Sequence, residues 1–337
     1  MKILNSKGEQ VKLSAQEALI AKAVEKRIKN DTGYQADITT LTTVLKDVRE
    51  QKFFETPPST FIPIKVGEGA WSLNLTSFNV MQSADDFETG IVRTGTNDSK
   101  LASVDAGVTP VTVPVLPWAK TLGWSIMDIN YAMKSGNWDI VISKEKARKK
   151  NWDLGIQKIA FLGSEALSLA GLFNQTGAAV NTTLITKKIS TMTPSEMNTF
   201  VAAVMGVYRA NAEYTAWPTH FVLPESDYNG LMTFTDPNFP VKTKLAYLQE
   251  AFQTATKNSN FQIYGLPYGG DMASQTAYTY ALYNYDPESL RMDIPVDYTS
   301  TQASTFNGFQ FQNVAYGQFT GAMAYRPKEF LYFRFNK

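Results

Sequence analysis

Proline sets the first limit on this chain. Val111, Val113 and Val115 alternate with Thr112 and Pro114, and Pro110, Pro114 and Pro117 punctuate the run. The alternation is that of a strand, yet proline has no N–H to give to a ladder. The run therefore reads as an edge strand with one side unpaired. Upstream, Ile62, Ile64 and Val66 alternate with Pro63 and Lys65, and Trp71, Leu73 and Leu75 with Ser72, Asn74 and Thr76. Both read as strands. Between these and the proline run, Phe78 to Asp105 is polar and turn-rich, including Thr94-Gly95-Thr96-Asn97-Asp98. The stretch 58–125 is thus expected to form a long antiparallel excursion of two or three strands. Such a ribbon is marginal in water unless it has a neighbour to lie on.

Helical periodicity appears on both sides of this excursion. Ser14-x-x-Glu17 is a capping box opening a helix over 14–30, with Leu19, Ile20, Ala23, Val24 and Ile28 as its apolar stripe. Ile38, Leu41, Val44, Leu45 and Val48 predict a second short helix before Pro57-Pro58 breaks the pattern. Two lone amphipathic helices must bury their stripes on another surface, either a neighbour's or the chain's own core. Trp138 to Gly163 predicts the longest helix, about 39 Å. Trp152, Ile156, Ile159 and Ala160 share one face of it, with Val141 and Arg148 preceding them. Its middle carries Lys144, Lys146, Arg148, Lys149 and Lys150 against Glu145, a net +4 from five cations and one acid. That run is either a solvated face meeting a neighbour's acids or a surface toward nucleic-acid phosphates. Gly171-Leu172-Phe173-Asn174 opens a loop.

Over 191–305 helices and strands alternate. Thr193-Pro194-Ser195-Glu196 supplies an N-cap, a proline at the first helical position and a capping-box Glu. Met197, Phe200, Val201, Val204, Val207 and Tyr208 continue the helix, and Leu245, Tyr247, Leu248, Ala251 and Phe252 predict another. Phe221–Pro224, Phe261–Tyr264 and Tyr278–Tyr283 read as strands, and the aromatic-rich tail from Phe309 to Phe335 as long strands.

Composition closes off most chemistry. Cys is absent and His220 is the single histidine. Disulfide scaffolds, Cys/His zinc sites and cysteine nucleophiles are excluded. His220, at a strand edge, is read as structural rather than as a general base. Gly67-Glu68-Gly69-Ala70-Trp71-Ser72 runs into a strand, not a helix, so it does not fit a dinucleotide loop. Asp85, Asp86 and Glu88 are read as a solvated turn rather than a metal site. We expect no catalytic residues, no cofactor and no metal. No apolar segment follows Met1 and none is long enough to span a membrane, so neither a secretory signal nor a membrane partner is expected. Lys+Arg number 32 and Asp+Glu 31, which speaks against a binder held to nucleic acid by bulk charge. Charged residues are 19% and aromatics 12%, a balance suited to burying surface between chains.

The order of elements resembles the major capsid proteins of tailed double-stranded DNA bacteriophages, with the Hong Kong 97-like fold that encapsulin shells share. The similar text is mostly in 104–180. Val111–Val115 leads to Gly123-Trp124-Ser125-Ile126, then Asp128-Ile129 and Tyr131-Ala132, the charged long helix, Phe161-Leu162-Gly163 and the Gly171-Leu172-Phe173-Asn174 loop. Leu223-Pro224 with Tyr228 and Leu231, and Tyr285-Asp286-Pro287-Glu288 before Pro295, are also similar.

The resemblance implies an α+β chain with four regions. They are an N-terminal arm (1–57), an extended β-ribbon loop lying over the next subunit (58–125), a peripheral domain (126–190 and 306–337) with a spine helix at 138–163, and an axial α/β domain (191–305). It implies a non-enzymatic subunit that self-assembles into pentamers and hexamers of an icosahedral shell. Expected partners are copies of itself, packaged double-stranded DNA held without sequence specificity, and portal, scaffold and decoration proteins. Assembly would occur in the bacterial host cytoplasm. Trp71, Phe78, Phe87, Arg93 and Trp118 are the candidate intersubunit contacts. Lys144, Lys146, Arg148, Lys149 and Lys150 are the candidate inner-face or intersubunit cations. Two alternatives stand beside this reading, an encapsulin-type compartment shell and a carboxylate-using α/β hydrolase.

Overall fold

The computed structural model describes residues 2–4, 10–12, 51–82, 88, 106–136, 139–234, 242–272, 275–305 and 307–337. The helices expected over 14–30 and around 38–48 lie outside the described residues, as do Asp85, Asp86, Phe87, Arg93 and Trp138. The strands are β1 (Lys2–Leu4), β2 (Gln10–Lys12), β3 (Ile64–Val66), β4 (Asn74–Gln82), β5 (Ala106–Pro114), β6 (Leu116–Ser125), β7 (Ala179–Asn181), β8 (His220–Pro224), β9 (Gln262–Leu266), β10 (Ala277–Tyr283), β11 (Leu290–Ile294), β12 (Val296–Ser300), β13 (Ser304–Thr305), β14 (Gln310–Phe319), β15 (Ala322–Ala324) and β16 (Phe330–Asn336). The helices are α1 (Ile126–Gly136), α2 (Ile140–Leu162), α3 (Pro194–Asn211), α4 (Glu225–Gly230) and α5 (Lys244–Thr256). The chain divides into a larger unit of residues 55–119, 151–299 and 316–337 and a smaller one of 1–54, 120–150 and 300–315.

The larger unit is built on a five-stranded sheet in the order β7-β16-β10-β8-β9. Side chains of a strand alternate between faces, and here the alternation feeds two separate cores. Phe221, Leu223, Tyr280, Leu282, Leu331 and Phe333 pack with α3 and α5. Val222, Ala281, Tyr283, Phe330 and Tyr332 point the other way, to Trp152, Ile156, Ala160 and Phe161 of α2 and to Phe61 and Ile62. This explains why β8 is apolar at successive positions: all five of its residues are buried. A three-stranded sheet, β15-β11-β3, adds Met292 and Ala322 to the second core. The spacing that predicted α2's buried face holds for Trp152, Ile156 and Ala160, while Ile159 is only partly covered.

The helix starts follow their sequence signals. Thr193 accepts from the Glu196 N–H and Glu196 reaches back to the Thr193 N–H, with Pro194 at the first position. The Lys187 ammonium and these Thr193 bonds hold the Glu196 carboxyl down to about 2. Thr193 and Glu196 thereby place α3 so that Met197, Phe200, Val204 and Tyr208 face the sheet. Asp227 of α4, fully buried, ties three elements together. It accepts from the backbone N–H groups of Ile189 (2.9 Å) and Ser190 (2.8 Å) and from the Tyr280 hydroxyl (2.6 Å). Burial, and then the Asp227 charge, push the Tyr280 hydroxyl well above its ordinary range.

In the smaller unit β1 and β2 pair antiparallel, Ile3 opposite Val11. Ser125 and Asp128 cap α1 reciprocally: the Ser125 N–H donates to Asp128 and the Asp128 N–H to the Ser125 hydroxyl. Asp139 caps α2 by accepting from the N–H groups of Val141 and Ile142. Trp124 stacks on Phe311.

Removing the Asp227 carboxylate strands three donors, two of them buried. Asp227→Ala should lower the unfolding free energy by about 3 kcal/mol or more, and Asp227→Asn, which keeps an acceptor, by less. Urea denaturation measures both, and equal losses would contradict this role.

Candidate assembly surface

The ribbon leaves the body of the larger unit from a clamped root. Pro58–Thr60 forms one 3-10 turn. The Tyr285 hydroxyl donates to the Ser59 carbonyl (2.8 Å) and the Tyr283 hydroxyl to the Phe61 carbonyl (2.7 Å). The Phe61 ring meets Phe161 edge-on at 5.4 Å and Tyr264 at 5.1 Å. His220 belongs to this clamp. Its ring stacks on Tyr285 at 4.7 Å and lies 5.3 Å from Tyr264, and its Nδ1 is 3.1 Å from the Thr219 hydroxyl. Burial among these rings pulls its pKa down to about 4, against a smaller upward pull from the Thr60 backbone. The single histidine is a neutral stacking partner at neutral pH.

Between β3 and β4 the backbone turns through Gly67, Gly69 and Trp71, all at positive φ. A bulky residue at φ 65° is an outlier that its surroundings must impose. The Trp71 N–H donates to the Gln318 side chain (2.8 Å), and the indole lies 5.8 Å from the Tyr316 ring while staying 70% exposed. Beyond it, β4 and β5 pair over nine positions, from Asn74 opposite Pro114 to Gln82 opposite Ala106. They form a two-stranded sheet. Pro110 and Pro114 therefore sit on an edge strand, as their missing N–H groups require. The strand read over Trp71–Leu75 begins at Asn74 and continues through Gln82, into the segment read as turns, because its cross-strand partners start at Pro114.

The two faces of the ribbon differ. Leu75, Ser77 and Asn79 alternate inward. Asn79 donates to the Tyr325 carbonyl (3.0 Å), and Val113 is buried. A cavity of about 460 Å³ lies beneath, lined by Val113, Pro114, Leu169, Asn174 and Met323 among others. The opposite face presents Phe78 (64% exposed), Val80 (61%) and Val108 (59%), with Pro110 opposite Phe78 and a Thr76–Thr112 hydroxyl contact at 3.1 Å. Neither β4 nor β5 contains a charged residue. The outer face thus combines exposed large apolar groups with no charge, which marks an interaction surface.

Of the candidate contacts, Trp71 and Phe78 stand exposed on this part of the unit. Trp118 does not share their position: its ring is spent inside the chain, 5.1 Å from Trp152 and 6.1 Å from Tyr298. Val80 lies in text that reads as a turn and Val108 precedes the alternating Val111–Val115 run, so only their cross-strand pairing places both on one face.

The basic run divides in a similar way. Arg148 is 5% exposed and bound to the Asn313 carbonyl (3.2 Å) and side chain (2.9 Å), the Lys120 carbonyl (3.3 Å) and Glu145 (2.5 Å). Expected as an inner-face or intersubunit cation, Arg148 is instead buried, and its guanidinium serves as an internal pin. Lys144 donates to the Gly123 carbonyl. Lys146 and Lys149 are exposed and Lys150 is half-buried. Among the described residues no cluster of three or more acids and histidines could hold a metal, and no helix is long and apolar enough to cross a membrane.

Comparison with known proteins agrees on one architecture. A family model described as major capsid protein matches residues 88–334. Among solved structures, the capsid of Myoviridae phage XM1 superposes with a TM-score of 0.70 at 16% identity, covering 90% of this chain and 99% of that one. A Mycobacterium phage Ogopogo chain gives 0.55 at 10% identity, covering 87% and 96%. The capsid of the native GTA particle gives 0.55 at 11% identity, covering 90% and 98%. No curated protein matches in sequence.

The depressed pKa of His220 fixes the sign of a pH effect. Above the ordinary value of 6.5 the neutral ring stabilises fully. As pH falls from 6.5 to about 4 the unfolded chain takes up the proton first and stability drains away. Urea melts between pH 7 and 4.5 should show a steeper loss for the natural chain than for His220→Gln. Parallel profiles would remove His220 from the acid response.

Proposed function

This chain belongs to the major capsid protein family, and from that premise we propose that its copies join as hexamers and pentamers of an icosahedral shell around a double-stranded DNA phage genome. As a major capsid protein it is a structural subunit of a virion shell, and its fold is Hong Kong 97-like. The observation that carries the assembly reading is the ribbon. Its outer face exposes Phe78, Val80 and Val108 on a two-stranded sheet, and a ribbon of that kind gains little from folding by itself. A closed shell supplies the cover, because each heterologous contact joins two different patches of neighbouring copies.

In this reading 1–57 is an arm, 58–125 the loop that reaches the next subunit, 126–190 and 306–337 the peripheral domain, and 191–305 the axial domain at the symmetry axes. Trp71 and Phe78 make intersubunit contacts, with Phe87 and Arg93 further along the same loop. Packaged DNA is held through backbone charge alone, and portal, scaffold and decoration proteins complete the particle, which is built in the host cytoplasm. The chain carries no catalytic role. The family match favours a virion shell over an enzyme-holding compartment or a hydrolase.

Negative-stain imaging of the purified chain should show closed particles tens of nanometres across. The double variant Phe78→Asp with Val80→Asp should stay folded by circular dichroism and leave only small oligomers. Particles from that variant in normal yield would refute the ribbon's role in assembly.

A further inference from the structure

We propose that Asn307 is a self-modification site, at which the Gly308 nitrogen closes on the Asn307 side chain and converts its amide to an acid. No part of this depends on the ribbon or on assembly.

The sequence holds two Asn-Gly pairs, Asn229-Gly230 and Asn307-Gly308. A glycine after asparagine leaves the attacking nitrogen unshielded by a side chain, so both pairs are reactive in an unfolded chain. Both asparagines are exposed, so access to water does not separate them. Their backbones do. Asn229 lies in α4. A helical side chain leans toward the helix start, while the next nitrogen lies in the helix wall, and the two meet only if the helix unwinds. Gly230 is also packed on Ser190, which a Cβ would approach to 2.6 Å. Asn307 lies instead in the turn between β13 and β14, which pair antiparallel. Gly308 there has a φ of 68°, and nothing stands within 4 Å of where a Cβ would be.

The turn polarises both reacting groups. Asn307 Oδ1 accepts from the N–H groups of Phe309 (3.1 Å) and Gln310 (2.8 Å). Those donors face the oxygen that becomes negative when the side-chain carbonyl is attacked, so they hold the tetrahedral intermediate more tightly than the ground state. The nucleophile is held too. The Gly308 N–H donates to the Thr305 hydroxyl (2.8 Å), which in turn donates to the Gln310 carbonyl (2.8 Å). An asparagine that only shapes a turn needs its Oδ1 bonds; the acceptor on the attacking nitrogen is what a reaction needs besides.

The bond from the Gly308 nitrogen to Asn307 Cγ forms as the Gly308 proton passes through the Thr305 hydroxyl to solvent. The Cγ–Nδ2 bond then breaks, and the amide nitrogen takes a proton from water and leaves as ammonia. Water opens the resulting succinimide at either carbonyl, giving aspartate or isoaspartate. Nothing is oxidised or reduced. The product carries a new negative charge two residues from Phe309, whose carbonyl accepts from the Ile126 N–H at the start of α1 (3.1 Å). Isoaspartate routes the main chain through the former side chain, which lengthens the turn beside that bond.

Incubation of the full chain at mildly alkaline pH, followed by peptide mapping in a mass spectrometer, reads both pairs at once. Asn307 should convert at least about ten-fold faster than Asn229, a margin that a single well-placed oxyanion donor can supply. The deciding comparison is with the chain unfolded in guanidinium chloride, where the same residues have no turn. The folded chain should convert Asn307 several-fold faster than the unfolded one. Thr305→Val should slow the folded chain without changing the unfolded rate, and Thr305→Ser should keep the natural rate. A folded rate at or below the unfolded rate would mean that the turn protects Asn307, and the proposal falls. It falls equally if Thr305→Val leaves the folded rate unchanged.

Discussion

Everything in the larger unit depends on one sheet that is buried on both faces. A strand in that position can spare no polar side chain, so β8, β10 and β16 are almost wholly apolar or aromatic. Alternation sends half of each strand to α3 and α5 and half to α2 and the residues around Phe61. The strand that completes this sheet comes from the very end of the sequence. β16 lies between β7 and β10, pairing parallel with one and antiparallel with the other. Residues separated by about 150 positions thus become neighbours, and the two cores close together.

That rigid sheet is also what holds the ribbon. Tyr283 is part of β10, paired across to His220 of β8 and to Phe330 of β16, with its ring stacked on Phe330 at 5.0 Å. Its hydroxyl grips the Phe61 carbonyl, and Tyr285 grips Ser59 two residues earlier. The root of the excursion is fastened to the most buried part of the unit, while its outer face remains bare. A subunit whose work is to touch copies of itself needs this combination. The adhesive surface must be offered at a fixed place, and the body that offers it must not yield when the contact forms.

Low charge and scarce reactive side chains have the same physical meaning. The chain's one histidine is committed to a stack of tyrosines, its buried Asp227 to backbone donors, and Arg148 to carbonyls inside its own unit. These groups stabilise the subunit and are unavailable for chemistry. Among the described residues, β4, β5 and α1 present exposed large apolar side chains, and α2 presents exposed lysines.

Local features were legible from the residues alone. The Thr193-Pro194-Ser195-Glu196 start of α3, the buried stripe Trp152, Ile156 and Ala160, and the edge position of the Pro110–Pro114 strand each follow from sterics and hydrogen bonding within a few residues. The sequence by itself also excluded disulfide and Cys/His metal chemistry, since the atoms required are absent. It could not say that Arg148 turns inward, that Trp118 packs on Trp152, or that Val80 and Val108 share one bare face. Those outcomes depend on Asn313, on Trp152 and on a strand partner far along the chain. Periodicity tells which residues lie on a common face of an element; only the tertiary structure decides which face is covered, because the covering residues come from elsewhere.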